Sequence, residues 1–172
     1  MLSWRLVILF ILLVLIQVTI LNQVAIGGYI NPQVYLLFIL ILPLNIPGWL
    51  LLLYAFAMGM AVDMFSDSLA IHTASTLFMA FCRPGIIRLV SGSFEKDSGA
   101  APSFGTMGGI SLALYSVILI LLHHALLFFL EIFHFSEAAQ TLSRILFSSI
   151  FSFAFVMIGF IILEKASPSH LR

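Results

Sequence analysis

The chain has 172 residues, 62% hydrophobic and 8% charged, whereas an ordinary soluble domain is about 25% charged and about 45 to 50% apolar. With a mean hydropathy of +1.20 there is too little polar surface to cover a globule in water, so a water-soluble fold is excluded and the solvent is lipid. Seven Lys and Arg balance seven Asp and Glu, which removes the basic surface that nucleic-acid binding needs.

At roughly 20 residues per helical span, six spans take about 120 residues and leave about 50 for loops and ends. The whole of residues 1–172 therefore reads as one all-α, polytopic membrane domain with no room for a separate extramembrane domain. The first span is expected over residues 6–25, interrupted only by Gln17, Thr19, Asn22 and Gln23 and closed by Gly27-Gly28-Tyr29-Ile30-Asn31-Pro32, a run with turn chemistry. The amino end resembles a secretory signal, with Ala25 and Gly27 as small residues near a cleavage point, but the apolar stretch is long enough to stay as a span.

From residue 33 to 62 the chain is apolar, yet Pro43-Leu44-Asn45-Ile46-Pro47-Gly48 sits in its middle, and two prolines do not continue a regular helix. Pro43, Pro47 and Gly48 are the expected break between two short helices, residues 33–46 and 49–62. Each would measure about 21 Å at 1.5 Å per residue, less than the roughly 30 Å hydrocarbon core. They read either as two thin spans or as a re-entrant hairpin. Further spans are expected over residues 69–90, 108–130 and 142–163, with residues 91–106 the one loop of soluble composition and Glu95-Lys96-Asp97-Ser98-Gly99 an exposed turn.

Positive residues in short loops collect on the cytoplasmic side. An amino end placed inside puts Arg5, Arg83, Arg88, Lys96, Lys165 and Arg172 on that side and leaves only Arg144 outside, with Asp63, Asp67, Glu131 and Glu137 on the outer face. Both termini are therefore expected to be cytoplasmic.

An ionisable group at a span centre costs about 2.5 to 3.5 kcal/mol on insertion scales, so each one needs a reason. Ala55, Gly59 and Asp63 lie at i, i+4 and i+8, a small-residue face that lets another backbone approach and ends in a carboxylate. Asp63 reads equally as an anchor for a helix contact and as a cap on the next segment, together with Asp67. Ser148, Ser152 and Gly159 share one side of the last span and favour close helix packing there, and Thr73, Ser75 and Thr76 in the fourth are expected to satisfy neighbouring backbones rather than contact a ligand.

His123 and His124 point about 100° apart on a helix and do not line one narrow site together. With His72, His134 and Glu131 they lack the i, i+3 or i+4 pairing of a helical metal site, and are expected to hydrogen-bond within the bundle. Arg83, before Pro84, is expected to snorkel to the headgroups, and the lone Cys82 to be a small buried apolar residue. A single thiol builds neither an intrachain disulfide nor a cysteine cluster. No nucleophile or acid–base arrangement and no phosphate loop is recognisable, so neither an enzyme, a cofactor nor a metal is expected.

Taken together, the amino-terminal span, Asn31-Pro32, the Pro43-Leu44-Asn45-Ile46-Pro47-Gly48-Trp49 break, Gly59 with Asp63, and Ile71-His72 before a span ending Arg83-Pro84 resemble the bacterial rod shape-determining protein MreD family over nearly the whole chain. The resemblance implies a small inner-membrane subunit of the cell-elongation machinery. Such a subunit binds MreC and links MreB filaments inside to the glycan polymerase and transpeptidase that extend the peptidoglycan outside. The candidate faces for a partner helix are then those of Ala55, Gly59 and Asp63, and of Ser148, Ser152 and Gly159. The alternative is a small transporter or substrate-binding membrane subunit, similar in size and span count to the S components of energy-coupling-factor importers, with its site between the broken spans.

Overall fold

The computed structural model describes residues 4–23, 30–66, 68–90, 99–132 and 138–166. Of these 83% are helical and none lies in a strand, so the domain is an all-α bundle. Helix α1 (Trp4–Ile16) continues through a π-helical turn, Gln17–Leu21. It is followed by α2 (Leu36–Leu40), α3 (Gly48–Ser66), α4 (Ile71–Val90), α5 (Phe104–Met107), α6 (Gly109–Ile132) and α7 (Ala138–Ala166). Four stretches are long and apolar enough to cross a membrane: Trp4–Leu21, Gly48–Ser66, Gly109–Glu131 and Ala139–Ala166. Ile8, Ile11 and Leu15 of α1, Phe56 of α3 and Ile150, Ile158 and Ile162 of α7 face outward, the apolar exterior of a bundle solvated by lipid rather than water.

Helices α3, α4, α6 and α7 pack in sequence, and the chain between α1 and α3 threads through the space they leave. At one end the tips of α1, α3, α4 and α6 meet, with Val18, Ser66, Ile71 and Glu131 around a common space. At the other, Trp4 and Arg5 lie beside Leu163 and Ala166, and Leu44 N–H donates to the Ala100 carbonyl. The segment 31–45 runs from the first end to the second. Tyr35, the five residues of α2 and Leu42 along it are all buried. Phe38 is held edge-on between Phe10 of α1, at 5.4 Å between centroids, and Tyr54 of α3, at 5.8 Å.

The two similar short helices expected over residues 33–46 and 49–62 are not what forms. The first shrinks to five residues and the second lengthens to 19, about 28 Å. The reason lies in the prolines and in competition for hydrogen bonds. A residue before proline is pushed out of the α region, which applies to Asn31, Leu42 and Ile46 and confines any helix to the residues between. Pro47 then starts α3 cleanly, its carbonyl accepting from Leu50 and Leu51 N–H at 3.0 Å each. Pro43, Pro47 and Gly48 thus break the chain at the far end of the segment, not between equal halves.

Arg83 does not snorkel. It is 1% exposed, with Nε donating to Tyr115 Oη at 2.6 Å, Nη1 to the Pro43 carbonyl at 3.3 Å and Nη2 to the Leu42 carbonyl. Tyr115 in turn donates to the Leu40 carbonyl at 3.0 Å. Where α2 stops, these three carbonyls lose their helical donors, and inside a lipid-solvated bundle no water replaces them. The cation is spent on the chain's own backbone. Arg83→Leu takes the donors from the Leu42 and Pro43 carbonyls and the Tyr115 hydroxyl and is expected to lower stability by about 2 to 5 kcal/mol, at roughly 1 to 3 kcal/mol for each buried polar group left unsatisfied. Arg83→Lys should recover only part, because an ammonium lacks the planar fork; thermal unfolding in detergent measures both.

Candidate functional site

Asp63 stands in the last turn of α3, opposite the first turn of α4. The N–H groups at the start of a helix have no internal acceptor, and Asp63 supplies one from a neighbouring helix. Its Oδ2 accepts from Thr73 N–H at 2.8 Å and Thr73 Oγ1 at 2.5 Å. Its Oδ1 accepts from His72 N–H at 3.1 Å, His72 Nδ1 at 3.0 Å and Ser68 Oγ at 2.5 Å. The carboxylate fills both roles open in the sequence, capping α4 at long range and anchoring the contact between α3 and α4; Asp67 lies outside the described residues.

Gly59, one turn earlier, makes that reach feasible. A Cβ there would stand 2.5 Å from Thr73 Cα and 3.0 Å from the His72 carbonyl, so only glycine lets α3 and α4 approach this closely. Ala55 continues the same buried stripe. The Ala55, Gly59 and Asp63 face is occupied by α4 of the same chain. Ala70, in the connection, is held at φ +59°, a conformation that costs a non-glycine residue roughly 1 to 2 kcal/mol.

On α7, Ser148 Oγ accepts from Asn31 N–H at 3.1 Å and Ser152 Oγ from Gln33 N–H at 2.8 Å. A Cβ at Gly159 would run into the Leu37 side chain. The second candidate face is therefore also covered from within, by the segment that descends into α2. Gln17, buried in the π-helical turn, completes the cradle: Nε2 donates to the Pro32 carbonyl at 3.1 Å and Oε1 accepts from Val34 N–H at 2.8 Å. Neither Gln17, Gln33 nor the buried role of Arg83 was read from the sequence. The available signal was a polar side chain inside an apolar stretch.

The two adjacent histidines diverge, as helix geometry requires. His123 Nε2 hydrogen-bonds Tyr35 Oη at 2.8 Å. His124 Nε2 is 3.2 Å from Ser152 Oγ and its Nδ1 is 2.9 Å from the Ile120 carbonyl. Since Ser152 already accepts from Gln33, its own hydroxyl donates to His124 Nε2, and His124 Nδ1–H donates to Ile120. Among the described residues no three His, Cys, Asp or Glu gather as a metal group; His134 and Glu137 lie outside them.

The same end of the bundle carries a partly open cavity of about 430 Å³, with Asn22, Gln33, Ser66, Ser68, His72 and Glu131 on its wall. Glu131 accepts from Arg144 Nη2 at 3.0 Å, and the Arg144 guanidinium lies 4.5 Å over the Phe128 ring. Compared with models of known protein families, with curated proteins and with solved structures, the chain matches none.

Replacing Asp63 by Leu strands the His72 and Thr73 N–H groups, so stability should fall by about 2 to 4 kcal/mol, whereas Ala70→Gly should raise it by up to about 1 kcal/mol. In the same thermal scan Gly59→Ala is expected to lose about 1 to 3 kcal/mol by overpacking. Gly48→Ala should lose nothing, because no atom lies within 4 Å of a Cβ there.

Proposed function

We propose that the chain is a non-catalytic inner-membrane subunit of the bacterial cell-elongation complex, similar to MreD. In that complex it binds MreC and couples MreB filaments to the glycan polymerase and transpeptidase that build lateral peptidoglycan. The observation in favour is where the residues carrying the resemblance fall. Asn31-Pro32 opens the buried segment and donates to Ser148. Pro43 ends it under Arg83. Gly59, Asp63 and His72 form the α3–α4 joint. The pattern that resembles the family is the set of contacts on which this bundle depends, rather than a scatter of surface matches.

In this reading the chain crosses the bilayer six times. The second crossing is the segment 31–45, with its one helical turn and a half in α2, and α4, although less apolar than its neighbours, is another. Non-helical backbone at membrane depth is tolerated where protein buries it, as α1, α6 and α7 do here. An even number of crossings returns the chain to its starting side, in keeping with Trp4 beside Ala166, and the distribution of Lys and Arg makes that side cytoplasmic.

The alternative, a substrate-binding subunit with its site at the Pro43 to Gly48 break, has less support. The space around Leu42 and Pro43 is taken by Arg83 and Tyr115, and Leu42 is fully buried.

Affinity capture of the tagged chain from bacterial membranes is expected to recover MreC, and depletion to convert rods to spheres; capture without MreC from cells that stay rod-shaped would overturn the assignment. The orientation has its own check. In a Cys82→Ser background, Gln140→Cys should react with an impermeant thiol reagent added to intact cells and Ala101→Cys should not. The reverse pattern would invert the topology.

A further inference from the structure

At the end of the bundle opposite the α3–α4 joint, the first and last helices come together without packing. Trp4 and Arg5 of α1 lie beside Leu163 and Ala166 of α7, yet α1 packs on α2 and α3, and α7 on α2 and α6. Between them a groove of about 450 Å³ opens to the outside. Leu9 and Leu163, half-buried against the core, form its floor, and Ile8 and Leu12 line it as exposed side chains.

The groove has the depth of one leaflet. Trp4 and Ala166 end two of the stretches long enough to cross a membrane, so its mouth lies at the interface. From Trp4 to Leu12, the last lining residue of α1, it runs about 12 Å at 1.5 Å per residue. It therefore stops near the middle of a hydrocarbon core of roughly 30 Å. A transmembrane helix, from another protein or from a second copy of this chain, needs a face that continues through both leaflets. An acyl chain ends where this groove ends.

The mouth carries positive charge. The Arg5 guanidinium sits 5.9 Å from the centre of the Trp4 ring, and among the described residues no carboxylate pairs with it, the ion pairs being His72 with Asp63 and Arg144 with Glu131. Glu164, close in sequence to the α7 wall, leans the other way. Its Oε1 lies 3.6 Å from where a Cβ on Gly105 would stand, at the start of α5. Lys165, exposed beside Ala166, adds a second cation at the same end.

We propose that this groove holds an anionic phospholipid, with one acyl chain along Leu9 and Leu163 and the phosphate accepting from the Arg5 guanidinium. Arginine donates to phosphate through a planar fork, and its apolar stem lies along the groove wall while the head stays at the interface. A zwitterionic lipid brings an ammonium of its own to this positive mouth and gains less. Binding of this kind requires no partner protein and no place in the elongation complex.

The test uses the full chain, purified in detergent, stripped of lipid and examined by native mass spectrometry. Phosphatidylglycerol and phosphatidylcholine with the same acyl chains are titrated in parallel, with glycerol 3-phosphate as the headgroup alone. One phosphatidylglycerol per chain is expected to bind at concentrations where phosphatidylcholine and glycerol 3-phosphate do not. Arg5→Gln should weaken that binding about fivefold, the scale of one basic residue at an anionic surface. Ile8→Trp, which adds bulk at an exposed groove position, should weaken both lipids. Neither substitution touches an internal hydrogen bond, so the lipid-free unfolding midpoint should stay at the wild-type value. Equal binding of the two lipids, phosphatidylglycerol binding unchanged in either variant, glycerol 3-phosphate binding as tight as the lipid's, or a dimer of the chain that displaces the lipid would overturn the proposal.

Discussion

The fold depends on one constraint: a backbone that leaves the helix inside an apolar bundle must have each N–H and C=O satisfied by protein. Between residues 31 and 43 the chain makes hardly more than a single helical turn, and the surrounding helices carry the missing partners. Ser148 and Ser152 of α7 accept from the Asn31 and Gln33 N–H groups, and Gln17 accepts from the next, Val34 N–H. At the other end, where carbonyls are left over, Tyr115 of α6 and Arg83 of α4 donate. Acceptors gather where donors are orphaned, and donors where acceptors are. An unmatched group of either kind costs about 1 to 3 kcal/mol, so these few side chains decide whether the segment can be buried at all.

The same constraint explains two of the glycines that lie in helices, Gly59 and Gly159. Hydrogen bonds of 2.5 to 3.1 Å between Asp63 and the start of α4 need the two backbones closer than ordinary side chains permit, and Gly59 provides the clearance against Thr73. Gly159 does the equivalent for Leu37 on the buried segment. Small residues here allow the polar groups to reach one another, and packing and hydrogen bonding are a single arrangement. Pro84, inside α4, belongs to the same logic. A proline inside a helix forfeits one backbone bond, and it follows directly on the residue that donates three bonds to other elements.

The class of fold was legible because composition and length alone force lipid immersion, and helices whose sequence is uniformly apolar, such as α6 and α7, were located to within a few residues. The small-residue faces were legible too, because helical spacing puts Ala55, Gly59 and Asp63 in line. Their use was not, since spacing marks a face without saying what covers it. The helix expected over residues 33–46 failed for a related reason. Its apolar run reads as helical by pattern, but the outcome was set by residues far away in sequence, Arg83, Ser148 and Ser152, which offer its backbone better partners than a helix bounded by prolines can. Arg83 misled in the same way: position near a helix end predicts snorkelling, while the pull of the Leu42 and Pro43 carbonyls, the latter 40 residues away, draws it inward.

Since the polar residues of the bundle are spent inward, they are a poor source of contacts with other proteins. The Asp63 carboxylate is filled by Ser68, His72 and Thr73, and Ser148 and Ser152 of α7 face the buried segment. A helix arriving from another protein meets the apolar side chains of the exterior, and in lipid such surfaces associate through shape and close packing rather than through expulsion of water. Substitution of the inward polar residues therefore disturbs the scaffold before it disturbs a partner. Loss of association in an Asp63 or Ser152 variant carries meaning only when the unfolding midpoint of that variant is unchanged, whereas substitutions at outward positions such as Ile150 or Phe56, both exposed, alter the surface while leaving the internal hydrogen bonds in place.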